Sequence, residues 1–334
     1  MTPQNSTPQN PGINPDEQLP IQQEEHLYTI YPPTPYPKNK NLAPVWVALV
    51  TLVGVYLILT FLAAPLIVGL DFILMASITS TLLDNIIVAI GSFLLPAIAL
   101  NYLHLKGYGN KIFTAKHEQK KGMLRTVIAA IALTIIISTL LAQTIEKIPI
   151  PESLKAIQEF LSEPNKLISE MASAAKKSPF AVDHIMFFVL IVVLAAVGEE
   201  FFFRGILQGY LYKKSGRVHM AVWVTAVIFS IGHLEYVGFL SRILLGAVAG
   251  YTAVYGSLLL AILVHAINNF IAWMALYTLP EDFDFSPLPE QPLLYYSLLV
   301  VAAIILMFPL YRVIKRMQRI SHDSCISGKE KVIL

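Results

Sequence analysis

After a polar first stretch, the chain is a succession of apolar runs separated by short polar connections. The runs predict helices over 43–68, 82–105, 123–145, 182–212, 218–234, 239–255, 257–279 and 293–317. At about 1.5 Å of rise per residue, each comes close to the roughly 30 Å of a bilayer's hydrocarbon core, with 239–255 the shortest. The pattern divides the chain into four parts. Residues 1–41 are a tail rich in Pro, Gln and Asn, too poor in apolar groups to offset their ordering entropy and therefore expected to be disordered. A docking ligand and a plain tether both suit its "YPPTPYP" stretch. Residues 42–180 hold the first three spans and an amphipathic connection, 181–318 the spans with buried polar groups and the last helix, and 319–334 a closing tail.

Composition agrees with the pattern. Of the 334 residues, 55% are apolar and only 14% charged, and the mean hydropathy is +0.62. The expected fold is all-α, a polytopic membrane bundle of about eight transmembrane helices. The single cysteine, Cys325, excludes an internal disulfide and a cysteine-rich metal cluster. No leader-peptide pattern precedes the first span. Nothing in the sequence points to a nucleic-acid partner.

Charge orients the bundle. Lys38 and Lys40 precede the first run, and Lys106, Lys111, Lys116, Lys120 and Lys121 fill the second connection. Lys213, Lys214 and Arg217 fill the fourth, and Arg312, Lys315, Arg316 and Arg319 close the last run. The intervening connections carry Asp71, Glu235, and the group Glu281, Asp282, Asp284 and Glu290. The positive-inside rule then predicts a multi-pass protein of the cell membrane with both termini cytoplasmic. In the third connection, Leu154, Ile157, Phe160 and Leu161 fall at helical spacing with Pro164 as a break. This predicts a pair of interfacial amphipathic helices on the outer side; a helix packed on the bundle top is the alternative, and a lid over the buried polar groups a third. Two GxxxG pairs, Gly205/Gly209 and Gly246/Gly250, read as sites of close helix packing without chemistry.

Three runs carry polar groups that hydrocarbon disfavours. "AVGEEFFFRG" holds Glu199, Glu200 and Arg204; "FSIGHLEY" holds His233; "HAINNF" holds His265 and Asn269. A charge at a helix centre costs about 2.5–3.5 kcal/mol on the insertion scale, so such groups mark function unless they neutralise one another. Glu200 and Arg204, four apart, share a helix face and form such a pair. Glu199, turned about 100° away, has no partner on its own helix. Counted from the basic helix ends, Glu199 lies ~21 Å deep, His233 ~24 Å, Asn269 ~18 Å and His265 ~12 Å, so the groups overlap in depth. A buried carboxylate can serve as general base toward a water, while an amide and an imidazole N–H can stabilise an oxyanion. This is the inventory of a peptidase without a nucleophilic Ser or Cys. One Glu and two His also form a known catalytic zinc set, but HExxH is absent and an Asn amide is a poor zinc ligand.

The residues "EEFFFR" (199–204), "FSIGH" (229–233) and "HAINN" (265–269) resemble, in this order, the EExxxR, FxxxH and HxxxN motifs of the CPBP (Abi) intramembrane proteases. That group contains the type II CAAX prenyl endopeptidases. The resemblance implies Glu199 as the base that activates water, His233 as the group that holds it, and His265 and Asn269 as the oxyanion hole. Glu200 and Arg204 would support the site. It also implies a peptide or membrane-protein substrate, prenylated or not, met within the lipid bilayer. No cofactor is expected; zinc stays open, because members were long described as metalloproteases. Members that act as bacteriocin-immunity or scaffold proteins make a non-catalytic role the alternative. A proton-coupled transporter is a third reading, weakened by the lack of an internal repeat.

Overall fold

The computed structural model describes residues 47, 50, 98, 122–146, 151–233, 235–279 and 292–332. The tail 1–41, the acidic group at 281–290 and, but for residues 47, 50 and 98, the spans expected at 43–68 and 82–105 lie outside the described residues. Every regular element among the described residues is helical: the protein is an all-α membrane helix bundle. Its helices are α1 (Met123–Glu146), α2 (Lys155–Lys177), α3 (Ala181–Ser215), α4 (Val218–Gly232), α5 (Phe239–Tyr255), α6 (Leu258–Thr278) and α7 (Pro292–Val332). Four of them, α1, α3, α6 and the Leu294–Asp323 part of α7, are long and apolar enough to cross a bilayer, while α4 and α5 are shorter apolar helices. Large apolar side chains on the outer surface, among them Ile304, Ile305 and Phe308 at 64% exposure each, are what a lipid-facing helix presents.

α4 and α5 form the close-packed centre. Gly246 and Gly250 on α5 meet α4 so tightly that a Cβ on Gly246 would lie 3.1 Å from the Ala226 Cα, and one on Gly250 3.0 Å from Val222 Cγ1. Between lipid-solvated helices, association depends on such backbone approach rather than on a hydrophobic force. α1 packs on α5 and α7, and α6 packs on α5 and on the 189–200 part of α3. Phe203, Tyr210, Val222, Phe229, Val248 and Val264 stand in the shared core.

Two features differ from expectation. First, α3 is not a uniform α-helix. Val189–Leu194 and Phe201–Gln208 are π-helical, on either side of the α-helical Ala195–Glu200. Each π turn holds one residue more than an α turn, which rephases the side chains beyond it; such turns concentrate at functional sites. α3 ends at Gly216, whose left-handed φ of 69° closes the last turn with its N–H on Tyr212 O at 2.7 Å. Second, Pro164 does not divide the third connection into two helices. α2 runs unbroken from Lys155 to Lys177. A proline removes one N–H bond, and the Ala-, Leu-, Glu- and Lys-rich flanks continue the helix on both sides of it.

α2 combines two of the placements the sequence left open. Its C-terminal half packs Met171, Ala172 and Ala175 against Phe187 and Leu190 of α3 and Trp273, Leu276 and Tyr277 of α6. Lys176 Nζ donates to the Leu276 carbonyl at 2.9 Å, a cation placed on the last turn of α6 where orphan carbonyls gather. Its N-terminal half leaves Ile157 and Phe160 exposed, at 54% and 63%.

Candidate active site

Glu199 and Glu200 sit on the single α-helical turn between the π segments of α3. Both are buried, Glu199 at 7% exposure and Glu200 at 0%. The 100° between them sends Glu200 toward Arg204 and the Nδ1 side of His265, and Glu199 toward the Nε2 atoms of His233 and His265. Glu200 Oε1 accepts from Arg204 Nη1 at 2.5 Å and from His265 Nδ1 at 2.8 Å. Arg204, itself fully buried, donates through Nη2 to the Gly246 carbonyl at 3.1 Å. One turn further, Gln208 repeats the step, its Nε2 donating to the Gly250 carbonyl at 3.1 Å. The two glycines thus do more than admit α4. Without a Cβ, they let two polar side chains of α3 reach two successive carbonyls of α5.

The Glu199 oxygen Oε2 has no hydrogen bond among the described residues. It faces two imidazoles, His233 Nε2 at 3.6 Å and His265 Nε2 at 3.8 Å. Both distances exceed a direct hydrogen bond and fit groups bridged by a small molecule such as water. The other nitrogen of each ring is fixed. His233 Nδ1 lies 2.8 Å from the Phe229 carbonyl, and His265 Nδ1 lies against the Glu200 carboxylate. A carbonyl only accepts, as does an ionised carboxylate, so Nδ1 carries the hydrogen in both rings. In the neutral rings, both Nε2 atoms are then lone-pair acceptors turned toward Glu199 Oε2.

Phe229 locks this arrangement, a part that sequence reasoning quoted but left without a role. Buried at 1% exposure, its ring stands 4.6 Å from the Arg204 guanidinium carbon, 4.6 Å from the His233 ring and 5.6 Å from the His265 ring. A guanidinium over an aromatic face is held by the ring quadrupole, and more firmly where water is excluded. The signal was available, since Phe229 and His233 lie four apart on one helix face.

Asn269, one turn along α6 from His265, donates through Nδ2 to the Ile191 carbonyl at 3.1 Å, and its Oδ1 accepts from Asn268 Nδ2 at 3.4 Å. Its amide therefore ties α6 to the first π segment of α3. Ile191 and Asn268 were not anticipated; which carbonyl a π turn offers sideways is not written in a hydropathy pattern.

The α4–α5 hairpin borders the site. α4 is about 22 Å long and α5 about 25 Å, short of the roughly 30 Å of hydrocarbon, which leaves room for their connection to sit below one membrane surface. That connection carries His233, Glu235 and, on the first turn of α5, Arg242. Glu235 and Arg242 form an ion pair there, and Ser230 Oγ donates to the Phe239 carbonyl at 2.6 Å. Irregular backbone and ion pairs at membrane depth occur where they line a wet cavity. His233 is correspondingly more exposed than Glu199 or His265, its side chain 27% exposed.

Residues 181–271 match the family model of the type II CAAX prenyl endopeptidases, Rce1-like. The match is confined to this stretch and is consistent with the CPBP family. It spans α3, α4, α5 and α6 through Ile271, and so contains Glu199, Glu200, Arg204, His233, His265 and Asn269. The match supports, at the level of the family, a CAAX-protease-like intramembrane endopeptidase. Neither a curated protein nor a solved structure matches the chain.

Proposed function

We propose that the protein is an intramembrane endopeptidase in which Glu199 activates a water for attack on a peptide carbonyl. The observation that carries this reading is the convergence of three acceptors on one point. Two imidazoles with their Nδ1–H groups already engaged aim Nε2 at the same unbonded carboxylate oxygen, at 3.6 and 3.8 Å. A water among them donates its two hydrogens toward that set, which leaves its lone pair free for the substrate carbon.

The steps balance as follows. One water proton passes to Glu199 as the oxygen bonds to the carbonyl carbon, giving a tetrahedral oxyanion. Asn269, held by Ile191 and Asn268, offers its second amide N–H to that oxyanion. The proton then returns to the amide nitrogen, the C–N bond breaks, and a carboxylic acid and an amine leave. Glu200 acts through His265. By accepting the Nδ1–H it keeps Nε2 available, and it stabilises the imidazolium whenever Nε2 gains a proton, the role of the carboxylate in a Ser-His-Asp triad. The water proton taken by Glu199 passes by way of His265 Nε2, 3.8 Å away, to the leaving nitrogen, and while Nε2 holds it His265 also donates to the oxyanion. His265 thus accepts before it donates, a wider part than a fixed oxyanion donor. The substrate is a peptide or membrane protein reaching the site beside the α4–α5 hairpin, with both termini of the enzyme cytoplasmic.

Zinc is the chemistry to separate from this. Among the described residues, no group of three or more His, Cys, Asp or Glu is set to hold a metal ion. The deciding experiment is Glu199→Gln in the full-length protein, which keeps the size and removes the basicity. Turnover falls about 10²–10⁴-fold while thermal stability is retained. Activity of the wild type that is lost on chelation and restored by zinc overturns the glutamate mechanism. A stable Glu199→Gln protein with full biological effect overturns the protease reading altogether and points to a non-catalytic membrane protein.

A further inference from the structure

A second concavity runs along α4, α5 and α7, from Leu244 to Tyr255 on α5, and its polar rim lies at the basic end of these helices. It has a volume of about 350 Å³ and is walled by Trp223, Leu244, Val248, Leu310 and Tyr311, with His219 and Lys315 at its edge. It shares no residue with the candidate active site. Along α4, His219 is 14 positions from His233, about 21 Å at helical rise. The volume is that of roughly a dozen water-sized groups, room for one hydrocarbon chain and little more.

The walls and the rim ask for different chemistry. The wall is aliphatic and aromatic, and Trp223 and Tyr311 are still 43% and 56% exposed. His219 Nδ1 lies 2.8 Å from the Tyr251 hydroxyl, which satisfies the polar atoms at the α4–α5 side. Lys315 closes the α7 side, its Nζ 5.6 Å from the Tyr311 ring centre and 3.2 Å from Gln318 Oε1. Neither contact neutralises the ammonium. Lys315 is the Lys or Arg that lines the slot, and the segments 209–222 and 307–322 carry six further cations, Lys213, Lys214, Arg217, Arg312, Arg316 and Arg319, and no carboxylate. The complement to an apolar slot with a cation at its lip is a molecule with a hydrocarbon tail and an anionic head. A free phosphate satisfies only the lip. A zwitterionic lipid brings a second cation to a surface already crowded with them. Basic pockets between helices at the basic side of a membrane protein are where anionic headgroups bind.

We propose that this groove seats one acyl chain of an anionic phospholipid, with the headgroup phosphate on Lys315. Bound there, the lipid packs α4 and α5 against α7 from outside. The assignment rests on the groove and its charge alone and stands whether or not the protein cleaves peptides.

The test uses the full chain in phosphatidylcholine vesicles containing increasing fractions of phosphatidylglycerol or phosphatidylcholine with brominated acyl chains. Bromine quenches tryptophan on contact, and the Trp223 signal is the difference between the wild type and Trp223→Phe. Half-maximal quenching by brominated phosphatidylglycerol is expected at a mole fraction about fivefold lower than by brominated phosphatidylcholine, the preference that one nearby lysine confers. Inorganic phosphate leaves the curves unchanged, and Lys315→Gln brings the two together. Ala247→Phe fills the groove from α5 without touching the cations, and abolishes the low-fraction quenching. Coincident curves in the wild type mean ordinary boundary lipid and overturn the proposal. So does a phosphatidylglycerol preference that survives both variants, and so does absent quenching, which means that another part of the chain fills the groove.

Discussion

Glu200→Gln isolates what the buried carboxylate does, because one oxygen carries both of its bonds. Arg204 Nη1 at 2.5 Å and His265 Nδ1 at 2.8 Å meet on the same Oε1, while Oε2 has no hydrogen bond among the described residues. An amide whose oxygen takes the place of Oε1 keeps both acceptor contacts and puts its NH₂ where no bond is lost. What disappears is charge. Arg204 stays charged, so its bond to the amide oxygen remains charge-assisted, and the His265 bond alone weakens, by about 1–1.5 kcal/mol. Both replacements take the counter-charge from the buried guanidinium, but Glu200→Ala also removes its acceptor, at about 3–5 kcal/mol for the broken pair. The expected order of thermal stability in detergent is wild type, then Glu200→Gln, then Glu200→Ala, with Arg204→Ala as low as the last.

Turnover separates the positioning role from chemistry. In a triad, carboxylate-to-amide replacement costs about 10⁴ because the amide favours the wrong imidazole tautomer. Here the new amide is not free to turn, since its NH₂ would then face the Arg204 N–H as well as the ring. Glu200→Gln should therefore keep the His265 tautomer, and cleavage of a membrane-anchored reporter peptide in proteoliposomes should stay within about tenfold of wild type, the equivalent of roughly 1.4 kcal/mol. Adding Arg204→Met removes the pin, and turnover should drop further, toward the 10⁴ of the triad case. A stable Glu200→Gln protein that has lost a thousandfold or more refutes the argument, because it places the Glu200 charge in the reaction itself.

Three other outcomes follow from the same geometry. Asn269→Ala removes an oxyanion donor but no ionisable group, so turnover should fall about 10²–10³-fold with substrate affinity within a few-fold, measured by steady-state kinetics. A methyl on Gly246 meets the α4 backbone at the Ala226 Cα at 3.1 Å and Arg204 Nη2 at 3.3 Å, so Gly246→Ala should lower both unfolding temperature and turnover; Gly250→Ala, against Gln208 Oε1 and Val222, should cost stability of about 1–3 kcal/mol and leave kcat unchanged. Reporters fused after Lys40 and after Met317 should both read cytoplasmic and one near Asp282 external, and an external C-terminus would mean a miscounted span.

The hydropathy pattern carried the helices well. The run expected at 239–255 is α5 residue for residue, and α1, α4 and α6 end within one or two residues of their expected bounds. The last helix runs on to Val332, well past 317, through polar turns that include Gly328; a hydropathy pattern marks where the apolar run ends, not where the helix does. The convergence of Glu199, His233 and His265 was also legible, because depth in a bilayer follows from counting residues. Counting gives height along the normal, not azimuth. Which side chain meets which was therefore readable only within a helix, as for Glu200 and Arg204 four apart, and not between helices.

The polar ladder between α3 and α5 explains why azimuth was out of reach. Arg204 and Gln208 bond the carbonyls of Gly246 and Gly250, each pair 42 positions apart, so the two helices run in a fixed register. In sequence, Arg204 and the glycines look like two separate matters: a neutralised charge and a packing motif. Neither reading contains the other, because a backbone carbonyl in a helix is normally spent on its own ladder and has no residue type to announce it. Both glycines are needed for the side chains to arrive, and both side chains are long enough to reach. The consequence runs to the site itself. Gly246 fixes Arg204, Arg204 fixes Glu200, Glu200 fixes the tautomer of His265, and His265 aims Nε2 at Glu199. Four helices are joined through this chain and its Phe229 contact, and only the last member meets the point where a peptide carbonyl would be attacked. The three charges in the apolar run are tolerated because one of them, Glu199, is held apart, and the other two hold it there.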